Sequence, residues 1–142
     1  MSDGTQAPAT SRAWAWLGLK LVETGDGSAT VEMTPTEDMA NMSGFVHGGM
    51  ISTLADTAMG RAIRSVQPGV ARAMSFDLKL SFINAAKIGE VLRANAHVIH
   101  AGRRTVVAEC QVLGREGRLI ATGSATFAVT REKGITLGSD AD

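Results

Sequence analysis

The 142-residue chain carries 14 Lys and Arg against 14 Asp and Glu, so its formal net charge is zero and it lacks the basic field that dominates nucleic-acid binding. Its single cysteine, Cys110, excludes an intrachain disulfide framework, and no Cys/His cluster has the spacing of a structural zinc site, so no metal is expected. The hydrophobic content of 44% suits one domain with a substantial core; no run approaches the roughly 18 to 20 apolar residues of a membrane span, no signal-peptide core is visible, and a reducing, cytoplasmic location is expected.

Residues 1–11 are small and polar with a proline, the composition of a disordered start. Arg12 to Leu17 reads as a short helical turn, with Trp14 or Trp16 packed on the core. Gly18–Glu23 and Ala29–Met33 flank the turn signal Thr24-Gly25-Asp26-Gly27 and predict a hairpin, after which Pro35–Phe45 has no periodicity and reads as a loop. Gly48–Val66 has helical spacing, with Ile51, Leu54, Ala55, Ala58, Ala62 and Val66 on one side, and Gln67-Pro68-Gly69 stops it.

Four strands are expected beyond the helix. Met74–Phe82 alternates apolar and polar residues over nine positions, which predicts one core-facing side carrying the apolar residues. Val91–His100, Thr105–Leu113 and Leu119–Val129 follow, joined by hairpin-like turns at 101–104 and 114–117, and 131–142 loses the pattern and reads as a loose tail. The expectation is an α+β fold, a single domain over 12–130 in which about six antiparallel strands pack on one long helix. One helix leaves the second sheet face and the sheet edges uncovered, so self-association is expected.

The chemistry concentrates at the start of the long helix, in the stretch Asn41-Met42-Ser43-Gly44-Phe45-Val46-His47-Gly48-Gly49-Met50. First-turn N–H groups have no intrahelical partner and the helix dipole places positive charge there, so Gly48 and Gly49 can donate to a carbonyl becoming an oxyanion; the same glycines can equally serve close helix-sheet packing. His47 can orient the loop or donate to a substrate, and Asn41 can bond the loop backbone or a reacting group. Asp56 falls mid-helix at the border of the two faces, either as a solvated carboxylate or, at the edge of a cleft, as a general base or nucleophile. Nine residues separate His47 from Asp56, roughly 13 Å along one helix axis, so a centre using both would lie between two subunits. Ser75, on the polar face of its strand, can hold water or assist the carboxylate. Arg103 and Arg104, at a turn, can meet phosphates, as can Arg61 or Arg64. Phosphate-binding loops, dinucleotide fingerprints and Gly-x-Ser-x-Gly elbows are missing from the sequence, which disfavours nucleotide hydrolysis and serine-hydrolase chemistry.

Asn41-x-x-Gly44-x-x-His47-Gly48-Gly49-x-x-x-x-Leu54-Ala55-Asp56, with Met74–Leu78 and Ala86-x-x-Gly89-Glu90, resembles the signature of the hotdog-fold acyl-CoA thioesterases of the phenylacetate-degradation (PaaI) type, from about Trp16 to Val129. The resemblance implies a sheet wrapped around the helix, edge-to-edge homodimers that often pair into tetramers, and hydrolysis of an acyl- or aryl-CoA, with coenzyme A present only as part of the substrate and no other cofactor. By position it makes Asp56 the general base or nucleophile, Gly48 the N–H that polarises the thioester carbonyl, Asn41 and His47 the loop residues that place water and substrate, and Ser75 an assistant to the acid. Gly49, Arg103 and Arg104 would bind substrate, the arginines through coenzyme A phosphates. The alternatives are a non-catalytic acyl-CoA binding or regulatory module on the same fold and, less in keeping with the residues, a hydroxyacyl dehydratase.

Overall fold

A computed structural model describes residues 10–66 and 69–131, the side chain of Arg131 excepted. Of the start expected to be disordered, residues 1–9 lie outside that range, as do the stop signal at 67–68 and the tail over 132–142. Ser11 belongs to the ordered part. Its hydroxyl accepts the Trp14 N–H at 3.1 Å and so caps α1 (Arg12–Leu17), which Gly18 ends in the left-handed conformation at φ +66°. Trp14 packs half-buried against the core, whereas Trp16 is 72% exposed.

Strands β1 (Lys20–Gly25) and β2 (Ser28–Met33) form the expected hairpin. Its two-residue turn places both Asp26 and Gly27 at positive φ, 53° and 82°, as a turn matched to strand twist requires. Helix α2 (Gly48–Val66) then crosses the inside of the sheet formed by β1, β2, β3 (Val70–Phe82), β4 (Leu92–Ala101), β5 (Thr105–Leu113) and β6 (Leu119–Arg131), touching all six strands. Its buried face is wider than the expected stripe: Met59 and Ile63 are as inaccessible as Leu54 and Ala58, because the sheet curls around the helix, and Val66 is only half-buried. Burying Leu54, Met59 or Ile63 contributes about 1.5 to 3 kcal/mol each.

The strand order is β1-β2-β4-β5-β6-β3, antiparallel throughout. Only β4, β5 and β6 form the simple meander expected of the last four strands. β3 lies at the far edge, bonded to β6, and the link from Ile83 to Val91 carries the chain back to β4 beside β2.

The alternation in Met74–Phe82 also means something different from the single core-facing side expected. A bulge interrupts β3 between Ser75 and Asp77: Met74 pairs with exposed Ala128 and Ser75 with buried Phe127, while beyond the extra residue Leu78 pairs with buried Ala125. One inserted residue reverses which side chains face inward. Met74 and Phe76 therefore stand 64% and 63% exposed, Leu78, Leu80 and Phe82 turn toward the helix side, and Ser75 faces the helix and not the polar side. The unpaired edge of β3 thus displays a row of large apolar residues.

Buried Glu90 ties two loops together at the helix N-terminal end. Its oxygens accept the N–H groups of Lys87 at 2.9 Å and Arg115 at 2.7 Å, and the Arg118 guanidinium lies 3.7 Å away. A Cβ on Gly114 would run into the Glu90 carboxylate, so a side chain there would push that carboxylate off its backbone N–H donors. Burial pushes the Glu90 carboxyl up, but the two N–H groups and the charges of Arg118 and Arg115 outweigh it and hold it below the usual carboxylate range. Among the described residues, no helix is long and apolar enough to cross a membrane.

Candidate active site

His47 is the residue from which α2 starts. Its carbonyl accepts the Met50 N–H at 2.9 Å, and its ring Nδ1 accepts the Gly49 N–H at 2.9 Å. A nitrogen that accepts carries no proton, so this geometry assigns the ring proton to Nε2, on an exposed side chain. The Gly49 N–H, expected to be available to substrate, is thereby committed to His47. That of Gly48 has no hydrogen-bond acceptor among the described residues.

Both glycines also have a packing reason. A Cβ at Gly48 would come within 3.3 Å of the Phe82 ring, and one at Gly49 within 3.2 Å of His47 Nδ1. Asn41 shapes the loop leading in: its Oδ1 accepts the N–H groups of Ser43 at 2.9 Å and Phe45 at 3.1 Å, while its backbone pairs with Phe45 and Gly44. Of the two uses open to Asn41, its side-chain oxygen is occupied with the first.

Asp56 lies two turns further along α2. Its Oδ1 is buried and has no hydrogen-bond partner, the one such side-chain atom among the described residues. A buried carboxylate oxygen left unpaired costs about 1 to 3 kcal/mol or more, so such an atom points to a missing partner. Asp56 also lines a cleft of about 430 Å³ shared with Ser75, Trp14, Gly60, Arg61 and Phe127. The bulge in β3 is what turns Ser75 into this cleft beside the acid. The Arg61 guanidinium stacks 4.6 Å from the centre of the Trp14 ring, fixing α1 over one wall.

A family model described as the thioesterase superfamily matches residues 43–121, the span holding His47, Gly48, Asp56 and Ser75. The acyl-coenzyme A thioesterase PaaI of Escherichia coli is 32% identical over 105 residues, covering 74% of this chain and 73% of that one. The chain belongs to the hotdog-fold thioesterases of the PaaI type. Among solved structures, a conserved protein of Pseudomonas aeruginosa superposes with a TM-score of 0.80 at 34% identity, covering 87% of this chain and all of that one. A hypothetical thioesterase of Streptococcus pneumoniae solved with coenzyme A superposes with a TM-score of 0.74 at 25% identity, covering 80% and 87%.

Within this thioesterase fold the expected site residues fall into two groups. Asn41, His47, Gly48 and Gly49 gather at the N-terminal end of α2, under Phe82 of β3. Asp56 and Ser75 form the second group, toward the other end of the same strand. Arg103 and Arg104 sit at the β4–β5 turn, where the Arg104 carbonyl accepts the Val129 N–H, at the sheet end that also carries the C-terminus of α2 and the start of β3. Cys110 is buried and its thiol is pushed up to about 12, which keeps it unreactive at neutral pH. Of the candidates that the sequence offers for a pocket wall, Trp14, Trp16, Phe45, Met59 and Phe76, only Trp14 lines the cleft beside Asp56; Glu90 as the tie between loops was missed, its only local signal being an acid placed after the glycine of a turn.

Proposed function

We propose that this thioesterase hydrolyses an acyl- or aryl-coenzyme A to the free acid and coenzyme A at sites shared between two copies of the chain. The observation that carries the reading is the buried, unpartnered Oδ1 of Asp56, at one end of β3, together with an unspent Gly48 N–H at the other. Gly48 and Asp56 are eight residues apart on one helix, about 12 Å along its axis, too far to meet on one carbonyl. Antiparallel pairing of the free β3 edge with its own copy, about a two-fold axis near Leu78, sets the Ser75 end of one strand beside the Phe82 end of the other. Each Asp56 then faces the other copy's Gly48, and the exposed Met74 and Phe76 are covered.

In such a site the thioester carbonyl accepts the Gly48 N–H at the positive end of the helix, with the His47 Nε2–H as a second donor near the loop. Asp56 takes a proton from water as the water oxygen bonds to the carbonyl carbon. The carbonyl π pair moves onto the oxygen held by Gly48. Collapse of that intermediate breaks the carbon–sulfur bond, and the thiolate leaves with the proton held by Asp56, giving acid and free thiol. Direct attack by the Asp56 carboxylate, with water resolving the anhydride, uses the same groups. Ser75 orients the water, Asn41 holds the loop, and Arg103 and Arg104 approach the coenzyme A phosphates from the partner's side.

Thiol release from a panel of aromatic and straight-chain acyl-coenzyme A substrates tests the reading. Asp56→Ala is expected to lower kcat by at least about a hundredfold while retaining substrate binding. Undiminished turnover in that variant, or binding without turnover by the wild type, would overturn it; the second outcome describes a binding module.

A further inference from the structure

Glu90, 3% exposed, is the one buried acid among the described residues, and the chemistry of Asp56 makes no use of it. Its two oxygens hold different segments: Oε1 accepts the Lys87 N–H and Oε2 that of Arg115. Beside it the Arg118 guanidinium donates to the Ala85 carbonyl at 2.8 Å, so acid and base together pin residues 85–87 to the β5–β6 turn. Glu116, the other acid lining the cleft here, is exposed, and its carboxylate makes no hydrogen bond or ion pair among the described residues. It offers no second tie.

What residues 85–87 carry is the loop before α2. The Val46 N–H donates to the Ala86 carbonyl at 2.9 Å and Phe45 bridges to Lys87, while on the other side the His47 N–H donates to the Met39 carbonyl at 2.7 Å. Residues 45–47 are thus held from both sides, and they end at the peptide whose N–H belongs to Gly48. A donor stabilises an oxyanion only at about 2.7 to 3.1 Å from it, and a displacement of about 1 Å costs on the order of a hundredfold in rate. The side chain that fixes the Ala86 carbonyl therefore acts two residues from the donor. An amide at position 90 would keep the volume but carry one acceptor oxygen and turn its NH2 toward the other backbone donor, freeing either Lys87 or Arg115.

We infer that Glu90 is a positioning residue for the carbonyl-polarising donor: acting through Lys87, Ala86 and Val46, it sets where the Gly48 N–H points. The inference rests on the thioesterase reading above, in which that N–H binds the thioester carbonyl. The test is a double-variant cycle on thiol release from an acyl-coenzyme A. Glu90→Gln is expected to lower kcat at least about tenfold with KM held within about twofold. In a Gly48→Pro background, where the donor is already gone, the same change should lower kcat by no more than about twofold. Loss of folded or assembled protein would scale both backgrounds by one factor. Equal factors in the two backgrounds, an undiminished kcat in Glu90→Gln, or a change confined to KM would overturn the inference.

A wild type that releases no thiol, or a Gly48→Pro variant with full kcat, defeats the thioesterase reading and leaves the positioning to be read from the backbone itself. In ¹H–¹⁵N spectra Glu90→Gln should then move the amide signals of Val46, His47 and Gly48 while those of β1 stay in place. A Gly48 signal that does not move overturns the positioning role.

Discussion

A site shared between two subunits makes a quantitative prediction that a self-contained site does not. Gly48 is the first residue of α2, where proline is tolerated because its missing N–H would find no helical partner and its fixed φ suits the first turn. Gly48→Pro therefore removes the proposed carbonyl-polarising donor and little else, the Phe82 ring, 52% exposed, having room to move aside. Loss of such a donor lowers kcat by about 10² to 10³. Asp56→Ala lowers it by a comparable or larger factor. Each variant alone should retain about one per cent of wild-type activity or less. When the two are co-expressed in equal amounts, half of the dimers are mixed, and each mixed dimer has one site with both the Gly48 donor and the Asp56 carboxylate and one with neither. The expected activity is about a quarter of wild type. Thiol release gives the rate, and native mass spectrometry gives the fraction of mixed dimers. Activity that stays at the average of the two single variants, with mixed dimers present in quantity, would refute the shared site.

Other consequences follow from the edge strand and from the tie at Glu90. Phe76→Glu places a charge on the exposed bulge of β3, where it should leave the monomer folded, shift sedimentation from dimer to monomer, and remove activity with it. In Gly123→Ala the new Cβ would lie 1.9 Å from the Lys79 carbonyl and 2.9 Å from the Leu80 Cα; forcing β3 away from β6 should cost about 1 to 3 kcal/mol in urea unfolding. Glu90→Gln should cost about 1 to 3 kcal/mol at pH 7, because two backbone N–H groups lose a charged acceptor. Since the folded carboxyl titrates below its unfolded value, that advantage is fully present above about pH 4.3 and fades as the pH falls through the lowered folded value. The gap between the unfolding free energies of the two proteins should be smaller at pH 3 than at pH 7.

The sequence made the elements legible because each has a local cause. Asp26-Gly27 sets the hairpin, the spacing of Ile51, Leu54, Ala55, Ala58 and Ala62 sets the helix, and the alternation of β3 marks it as a strand. Local cause ends where a side chain must choose a neighbour far away. The alternation from Met74 to Phe82 spans a bulge, and only pairing with β6 reveals that Met74 and Leu78 face opposite ways. Ser75 looked polar-facing for the same reason. The two halves of the proposed site were visible as residue types, Gly48 at a helix start and Asp56 on a helix border. That the Gly49 N–H is used by the His47 ring, or that Asp56 keeps one oxygen unpaired, depends on packing that spacing does not encode.

The seating of β3 beside β6 has a temporal consequence. Among the described strands β3 pairs only with β6, whose residues 119–131 are made about fifty residues after it, so the edge strand cannot join the sheet until the last strand has emerged. Pairings this distant in sequence form late and slowly. A nascent chain therefore has no finished β3 edge to offer to its neighbours on the same message. The proposed pairing of two copies would wait for completed polypeptides, with the apolar edge strand ordered at the moment when a second copy can receive it.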